Sequence, residues 1–335
     1  MSRLKMNETN QLEKNCQWAR DTIEKCKEEM AKRVVGQEKV LDGIFTALFT
    51  GSHILIEGVP GLAKTLSVKT FAEISGLDFK RIQFTPDLLP ADIIGTLMYN
   101  QATSEFSVRK GPVFTNIVLA DEINRSPAKV QSALLEAMAE KQVTIGNETF
   151  RMQEPFVVLA TQNPIEQEGT YNLPEAELDR FLLKVRMPYP TPNEEVKIVR
   201  DGGNPENIPV KQCLNADDIK KLKETTDKIV CDDKIIEYIV SLVSVTRPKT
   251  SGAQKTNDFL HYITFGASPR ASIALCKSAK VNALLQGRSF VLPEDVKAVA
   301  SDVLRHRLVL SYEAGADGVT SDEIIEKLIS FVPVP

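Results

Sequence analysis

Residues 53–67 carry the side chains whose chemistry is easiest to interpret, in the order HILIEGVPGLAKTLS. The apolar run at 54–56 predicts a short buried strand, and the glycines and proline after it prevent regular structure until Lys64 and Thr65 open a helix. Backbone N–H groups in such a loop face one concavity at the positive end of the helix, and a lysine and a hydroxyl complete the charge and the metal coordination. The stretch predicts a phosphate-binding loop, with an ordinary strand-to-helix turn as the alternative.

Ala63 departs from the usual phosphate-loop signature, which has a glycine before the lysine. Alanine adds only a methyl group. We therefore expect Ala63 to be tolerated, provided that it lies in the first helical turn with a negative φ.

A pair of carboxylates, Asp121 and Glu122, directly follows a strand predicted at residues 113–120. One carboxylate in this position is placed to hold Mg²⁺, and the next is placed to orient and polarise an attacking water. A polar pair that caps a strand is the commoner explanation of these two residues alone. The phosphate loop earlier in the chain favours the catalytic interpretation.

Asn163 follows a fourth candidate strand in chain order, at residues 156–160. An asparagine there could hold the lytic water, although an isolated asparagine at a strand end is more often a turn former. Further strands are predicted at 81–84 and 182–187, and helices at 66–75 and 127–141. Strands that alternate with helices favour a parallel sheet, in which ligands bind beyond the carboxyl ends of the strands.

The remaining segments predict helices and one hairpin. Residues 85–111 are predicted to be irregular, whereas the alternating residues 143–150 predict a hairpin with a Gly146-Asn147 turn that needs positive φ at the glycine. Helices are predicted at 8–32, 38–50, 216–230, 233–245, 269–285 and 293–304. Ser268 and a following proline are a helix start signal. Arg270 then lies in the first turn, from which it could reach a phosphate; a solvated arginine is the alternative.

Composition restricts the class of protein. The chain has 335 residues, 42% of them apolar and 26% charged, which predicts a globular protein of two domains, and its polar N-terminus leads us to expect a cytoplasmic location. A net charge of −4 without a Lys/Arg block does not indicate a nucleic-acid face. The five cysteines are scattered and read as reduced thiols, and the three histidines, His53, His261 and His306, lack ligand spacing.

Five motifs stand in the order and spacing of the MoxR-type AAA+ ATPases, a family that the chain resembles over about residues 34 to 310. They are GVPGLAKT at 58–65, ADEINRSP at 120–127, TQNP at 161–164, LPEAELDRF at 173–181 and ASPRA at 267–271. The resemblance implies an α/β AAA+ P-loop core, with a parallel sheet flanked by helices, and a C-terminal α-helical lid domain. The implied divisions are an N-terminal helical segment at 1–33, the core at 34–188 with pore-side insertions at 85–111 and 142–152, and the lid at 189–335.

The same resemblance implies a role for each site residue. ATP would be bound by Val35, Gly36, Gln37, Gly58, Val59, Pro60, Gly61, Leu62, Ala63, Lys64, Thr65 and Leu66. The catalytic group would comprise Glu122, Lys64, Asn163 as first sensor, Arg180 as an arginine finger that reaches the adjoining subunit, and Arg270 as second sensor. Thr65 and Asp121 would hold Mg²⁺. Arg125 either serves a subunit interface or pairs with a nearby carboxylate.

By resemblance the protein is a ring-forming motor that hydrolyses ATP, assembles as a homo-hexamer and acts in a chaperone-like way on partner proteins, often ones with a von Willebrand A domain. Two other classes remain open. The first is a motor subunit of a magnesium-chelatase type. The second is a nucleic-acid motor, against which stand the mild acidity and the lack of an appended DNA-binding motif. An inert nucleotide-binding scaffold fits least, since every catalytic position is filled.

Overall fold

The computed structural model describes residues 3–102, 104–165, 169–200, 204–248 and 259–335, with side chains from residue 10 onward. Two compact units can be distinguished in these residues. One comprises the described parts of Glu24–Phe181 and Val185–Ile219. The other combines the N-terminal residues up to Ile23 with Leu182–Lys184 and the described residues from Lys220 onward. The domain boundaries expected at residues 33 and 188 remain predictions.

The strands and helices are as follows. The strands are β1 (Ile54–Glu57), β2 (Phe79–Gln83), β3 (Gly95–Asn100), β4 (Glu105–Lys110), β5 (Ile117–Asp121), β6 (Gln142–Ile145), β7 (Glu148–Arg151), β8 (Val157–Gln162), β9 (Leu183–Arg186), β10 (Ile263–Phe265) and β11 (Val309–Leu310). The helices are α1 (Arg3–Met30), α2 (Glu38–Thr50), α3 (Lys64–Ser75), α4 (Pro90–Ile94), α5 (Ala128–Glu140), α6 (Glu175–Leu178), α7 (Pro192–Arg200), α8 (Ala216–Lys228), α9 (Asp233–Val245), α10 (Pro269–Leu285), α11 (Pro293–Leu304), α12 (Tyr312–Ala316) and α13 (Ser321–Phe331).

A five-stranded sheet in the order β2-β5-β8-β1-β9 forms the centre of the α/β fold, which confirms the predicted class. The pairs β2·β5, β5·β8 and β1·β8 are parallel. Every residue of β5 is buried, as expected for a parallel strand covered on both faces. The covering layer includes α5, whose buried residues Val130, Leu134 and Met138 belong to the same apolar cluster as Val118 in β5. The helical period of α5 predicted this face.

Two antiparallel hairpins interrupt the alternation of strands and helices. The hairpin β6–β7 is confirmed, with Val143 opposite Phe150 and with Gly146 at φ +63° in its turn. The prediction that residues 85–111 are irregular was wrong, because they include α4 and the hairpin β3–β4. Most side chains of β3 and β4 are exposed. Such strands need little alternation of apolar and polar residues, which is the signal on which strand prediction depends.

The second unit is mainly helical. Helices α9, α10 and α11 begin and end where the sequence predicted, and the Ser268 hydroxyl caps α10 by accepting the Arg270 backbone N–H at 3.2 Å. Helix α13 was not predicted, although its start carries a capping box in which Thr320 and Glu323 bond to each other's backbone. None of the helices in the described residues combines the length and apolar content needed to cross a bilayer.

Candidate active site

The phosphate loop lies between β1 and α3, as the sequence predicted, and its lysine side chain bonds back to the loop. The Nζ atom of Lys64 donates to the Gly58 carbonyl at 2.6 Å, and Lys64 is 9% exposed. A Cβ atom on Gly58 would come within 2.9 Å of the Met187 Cβ, so the chain passes here without room for a side chain. Thr65 occupies the second position of the twelve-residue helix α3, where backbone N–H groups favour an anion.

Ala63 precedes α3 with φ +59° and ψ +26°, in the left-handed region. Our expectation of a negative φ was wrong, because the helix begins one residue later, at Lys64, and Ala63 makes the turn into it. A left-handed conformation costs an alanine roughly 1–2 kcal/mol. The loop therefore adopts a shape that suits glycine while carrying a methyl group.

The acidic pair extends from the end of β5. Asp121 is 7% exposed, and its Oδ1 atom accepts the Thr161 hydroxyl at 2.6 Å. Its Oδ2 atom accepts two N–H groups of Arg81, from Nε at 2.9 Å and from Nη2 at 2.7 Å. Glu122 has φ +56°, an uncommon conformation for a glutamate and one that is found preferentially at functional sites.

The Glu122 carboxylate is held from two directions. Its Oε2 atom accepts the Gln83 side-chain amide at 3.0 Å and the Arg125 guanidinium at 3.0 Å. Of the two alternatives for Arg125, the ion pair with a nearby carboxylate is the one that the geometry displays. Gln83 comes from the neighbouring strand β2, where it stands opposite Asp121 in the parallel register.

Asn163 follows β8, the strand that lies between β5 and β1 in the sheet. It is 4% exposed, and its Oδ1 atom accepts the Ile165 N–H at 3.1 Å. The amide nitrogen is therefore the atom that could donate to a water or a phosphate. The sheet order thus brings the phosphate loop, Asn163 and the acidic pair to the carboxyl ends of three adjacent strands, where parallel sheets bind ligands.

The two remaining arginines belong to different compact units. Arg180 is exposed, and its Nη1 atom donates to the Leu135 carbonyl of α5 at 2.7 Å. Arg270 lies in the first turn of α10, in the other compact unit, and is also exposed.

The segment Val35 to Gln37, which the resemblance implies binds ATP, lies beside the first turn of α7. Gly36 has φ +75°, and a Cβ atom on it would meet the Glu194 carboxylate carbon at 2.5 Å. The Thr191 backbone N–H and hydroxyl bond to Glu194 and hold the pKa of that carboxyl below its usual range. Sequence reasoning did not connect Glu194 to this segment, because nothing local indicates the contact.

Sequence reasoning also missed Arg81 and Gln83. They are two residues apart on a predicted strand, and on a strand this spacing places two side chains on one face. The strand itself was predicted, but the pairing of β2 with β5 was not, and this pairing brings both side chains to the acidic pair. Thr161 was noticed only as a polar residue at a strand end, and its bond to Asp121 likewise depends on the adjacency of β5 and β8.

The donor set fits magnesium. Thr65 and Asp121 offer a hydroxyl and a carboxylate, the hard oxygen ligands that Mg²⁺ prefers. Within the described residues no group of three or more His, Cys, Asp or Glu side chains could hold a metal ion. Mg²⁺ takes one or two protein ligands and completes its octahedron with waters and substrate phosphates.

Comparisons with known proteins agree with this geometry. Residues 53–183 match the model of the ATPase family associated with various cellular activities (AAA), and residues 261–328 match an AAA lid domain. The chain is 48% identical over 316 residues to Chaperone MoxR1 of Mycobacterium tuberculosis, covering 94% of this chain and 82% of that protein. It is 44% identical over 313 residues to YeaC of Bacillus subtilis, covering 93% and 94% of the two chains. A crystal structure of a candidate ATPase from Cytophaga hutchinsonii superposes with a TM-score of 0.88 at 46% identity, covering 98% and 99% of the two chains.

Proposed function

Because the chain belongs to the MoxR-type AAA+ ATPases, we propose that it hydrolyses ATP to ADP and phosphate with Mg²⁺ and thereby remodels, activates or assembles partner proteins in a chaperone-like way. One observation carries the proposal. The phosphate loop, to which Lys64 bonds, follows strand β1. The carboxylate pair, Asp121 and Glu122, lies at the end of strand β5, and only β8 separates these two strands in the sheet. Phosphoryl transfer is mostly positioning and charge stabilisation, and this arrangement supplies both.

The proposed roles follow from side-chain chemistry. Lys64 neutralises the β- and γ-phosphates at the N-terminus of α3, and the backbone of residues 58–66 binds them. Thr65 and Asp121 would hold Mg²⁺, which would neutralise phosphate charge there. Glu122 orients the lytic water and accepts its proton, while the Asn163 amide helps to fix that water.

We further propose that identical subunits form a ring, and Arg180 is the residue that tests this most directly. This arginine is exposed and tied to α5, so it is available to a neighbouring copy. An arginine supplied by another subunit stabilises transition-state charge and makes hydrolysis depend on assembly. We propose a hexamer, as the family resemblance implies, with Arg270 acting on the γ-phosphate from the lid.

The hairpin β3–β4 supports work on a partner protein. Tyr99 and Phe106 stand opposite each other, with ring centroids 5.2 Å apart, and they are 52% and 69% exposed. Leu97, on the same face of β3, meets the turn of the second hairpin at Gly146, so the two hairpins touch. Exposed aromatic pairs on a projecting hairpin suit contact with another polypeptide. One similar protein is named a chaperone, and the resemblance suggests a partner with a von Willebrand A domain.

The test is Lys64→Ala compared with Lys69→Ala. Both lysines lie on α3, but Lys69 is at the surface and pairs with Glu206 at 2.7 Å. We expect Lys64→Ala to lose ATP binding and at least about 100-fold of Mg²⁺-dependent phosphate release, while Lys69→Ala stays near wild type. Hydrolysis by Lys64→Ala at the wild-type rate, with the fold intact by circular dichroism, would refute the proposal.

A further inference from the structure

Arg81 and Gln83 form a polar row on β2 that reaches across to the acidic pair on β5. Arg81 places two donors on Asp121 Oδ2, at 2.9 and 2.7 Å, and its Nη2 atom also donates to the Gln83 side-chain oxygen. Gln83 in turn donates to Glu122. The two carboxylates at the end of β5, Asp121 and Glu122, are therefore connected through β2.

The oxygens of Asp121 are heavily used. Thr161 occupies Oδ1, and the guanidinium of Arg81 occupies Oδ2 with two N–H groups. A carboxylate oxygen that accepts two charge-assisted bonds has little remaining capacity to coordinate a metal ion or a metal-bound water. The positive charge of Arg81 also repels a divalent cation at that oxygen.

The Arg81 guanidinium can leave Asp121 without disturbing the hydrophobic core. Its side chain is 47% exposed, whereas the side chain of Asp121 is 10% exposed. A half-exposed guanidinium that loses its carboxylate can turn into water, where it is well solvated. Asp121 by contrast is fixed by the Thr161 hydroxyl and by the buried strand β5.

We propose that Arg81 competes with Mg²⁺ for Asp121 and so sets the Mg²⁺ concentration at which the nucleotide site is loaded. Arg81 is a positioning residue in this account, because it acts through Asp121. The inference rests on the proposed role of Asp121 as a Mg²⁺ ligand. Displacement of Arg81 also frees the Gln83 side-chain oxygen. Metal binding and the position of the Glu122 carboxylate are therefore coupled through one side chain, that of Gln83.

The experiment measures binding of a fluorescent ADP analogue while MgCl₂ is titrated, so that it reads metal dependence without turnover. Arg186→Gln is the matched control. Arg186 is also 47% exposed and also pairs with a carboxylate at a strand end, 2.9 Å from Glu57 Oε1. We expect Arg81→Gln to lower the half-saturating Mg²⁺ concentration by about three- to tenfold, since it removes a charged competitor, and Arg186→Gln to change it by less than about twofold.

An unchanged or raised half-saturating concentration in Arg81→Gln would overturn the inference, as would an equal shift in Arg186→Gln. If Arg81→Gln does not fold, Arg81→Lys decides, because lysine keeps the charge but loses the two-pronged bond. That variant should still lower the half-saturating concentration by about twofold, and no change would again overturn the inference. Failure of the proposed function is distinguishable, because the wild-type protein would then bind the analogue weakly or without any response to Mg²⁺.

Discussion

Gln83 donates its side-chain amide to the Glu122 carboxylate at 3.0 Å, across the pairing of β2 with β5. The same Oε2 atom accepts Arg125, so one oxygen of the proposed general base is engaged twice. These two bonds restrict the orientation of the carboxylate. The basal activity of the site should therefore depend on Gln83, which helps to position the Glu122 carboxylate.

The first prediction concerns Gln83→Ala. Removing this donor leaves the Glu122 carboxylate freer to turn toward the lytic water, so we expect kcat for ATP hydrolysis without a partner protein to rise by about two- to tenfold with little change in KM. Gln142→Ala, an exposed residue at the start of β6, is the control and should behave as wild type. A fall in kcat would mean that Gln83 holds Glu122 in its productive orientation.

The second prediction uses the left-handed conformation of Ala63. Ala63→Gly should raise the free energy of unfolding by about 1 kcal/mol, because glycine adopts φ +59° without steric strain. Ala133→Gly, inside α5, should instead lower it by about 0.5–1 kcal/mol, since glycine loses more chain entropy in a helix. Urea unfolding of the two variants should give shifts of opposite sign. Destabilisation by Ala63→Gly would show that the methyl group contributes packing that outweighs the strain.

The sequence predicted those parts of the molecule that local chemistry determines. The loop between β1 and α3 was predicted because its glycines, lysine and hydroxyl are contiguous, and the start of α10 was predicted because Ser268 and the following proline are adjacent in the sequence. The bonds from Arg81 and Gln83 to the acidic pair could not be predicted, since they depend on which strands are neighbours. The conformation of Ala63 was also missed. A residue one position before a helix is governed by the path of the loop and not by helix propensity.

The third prediction concerns acid stability and His53, one of the three histidines that lack ligand spacing in the sequence. The structure buries it: Nδ1 accepts the Val158 N–H at 3.0 Å, and Nε2 lies 3.1 Å from the Met138 carbonyl. Burial lowers the pKa of His53 to about 4 from an ordinary value near 6.5. A lowered pKa means that the unfolded chain takes up the proton first, so stability is fully present above pH 6.5 and falls between pH 6.5 and 4.

The loss from His53 should approach about 1.4 kcal/mol per pH unit in the middle of that interval, or roughly 3 kcal/mol in all. Urea unfolding from pH 7 to 4 measures it, with His53→Gln expected to be less stable at pH 7 but flatter in its pH dependence. His261→Gln, in the other unit, is the control and should keep the wild-type slope. An unchanged slope in His53→Gln would assign the pH dependence to other groups.

The last prediction tests the ring through Arg180. This side chain is exposed and bonded to Leu135, and if it completes a neighbour's site its loss should spare ATP binding. Arg180→Ala should then bind ATP almost normally and hydrolyse it about 10³-fold or more slowly, the range known for arginine fingers. Equilibrium binding and phosphate release measure the two effects separately.

Mixing Arg180→Ala with Lys64→Ala shows whether the arginine acts in its own subunit or across an interface. Arg180→Ala keeps an intact phosphate loop, and Lys64→Ala keeps an intact arginine, so a mixed ring contains sites in which each subunit supplies what the other lacks. With random assembly of equal amounts, about a quarter of the sites are complete, and activity should return toward about a quarter of the wild-type rate. The double variant Lys64→Ala/Arg180→Ala, mixed with either single variant, forms no complete site and should restore nothing. If mixed rings are demonstrated by native mass spectrometry and activity still does not return, Arg180 acts within its own subunit or outside catalysis, because a shared site would have to be complemented.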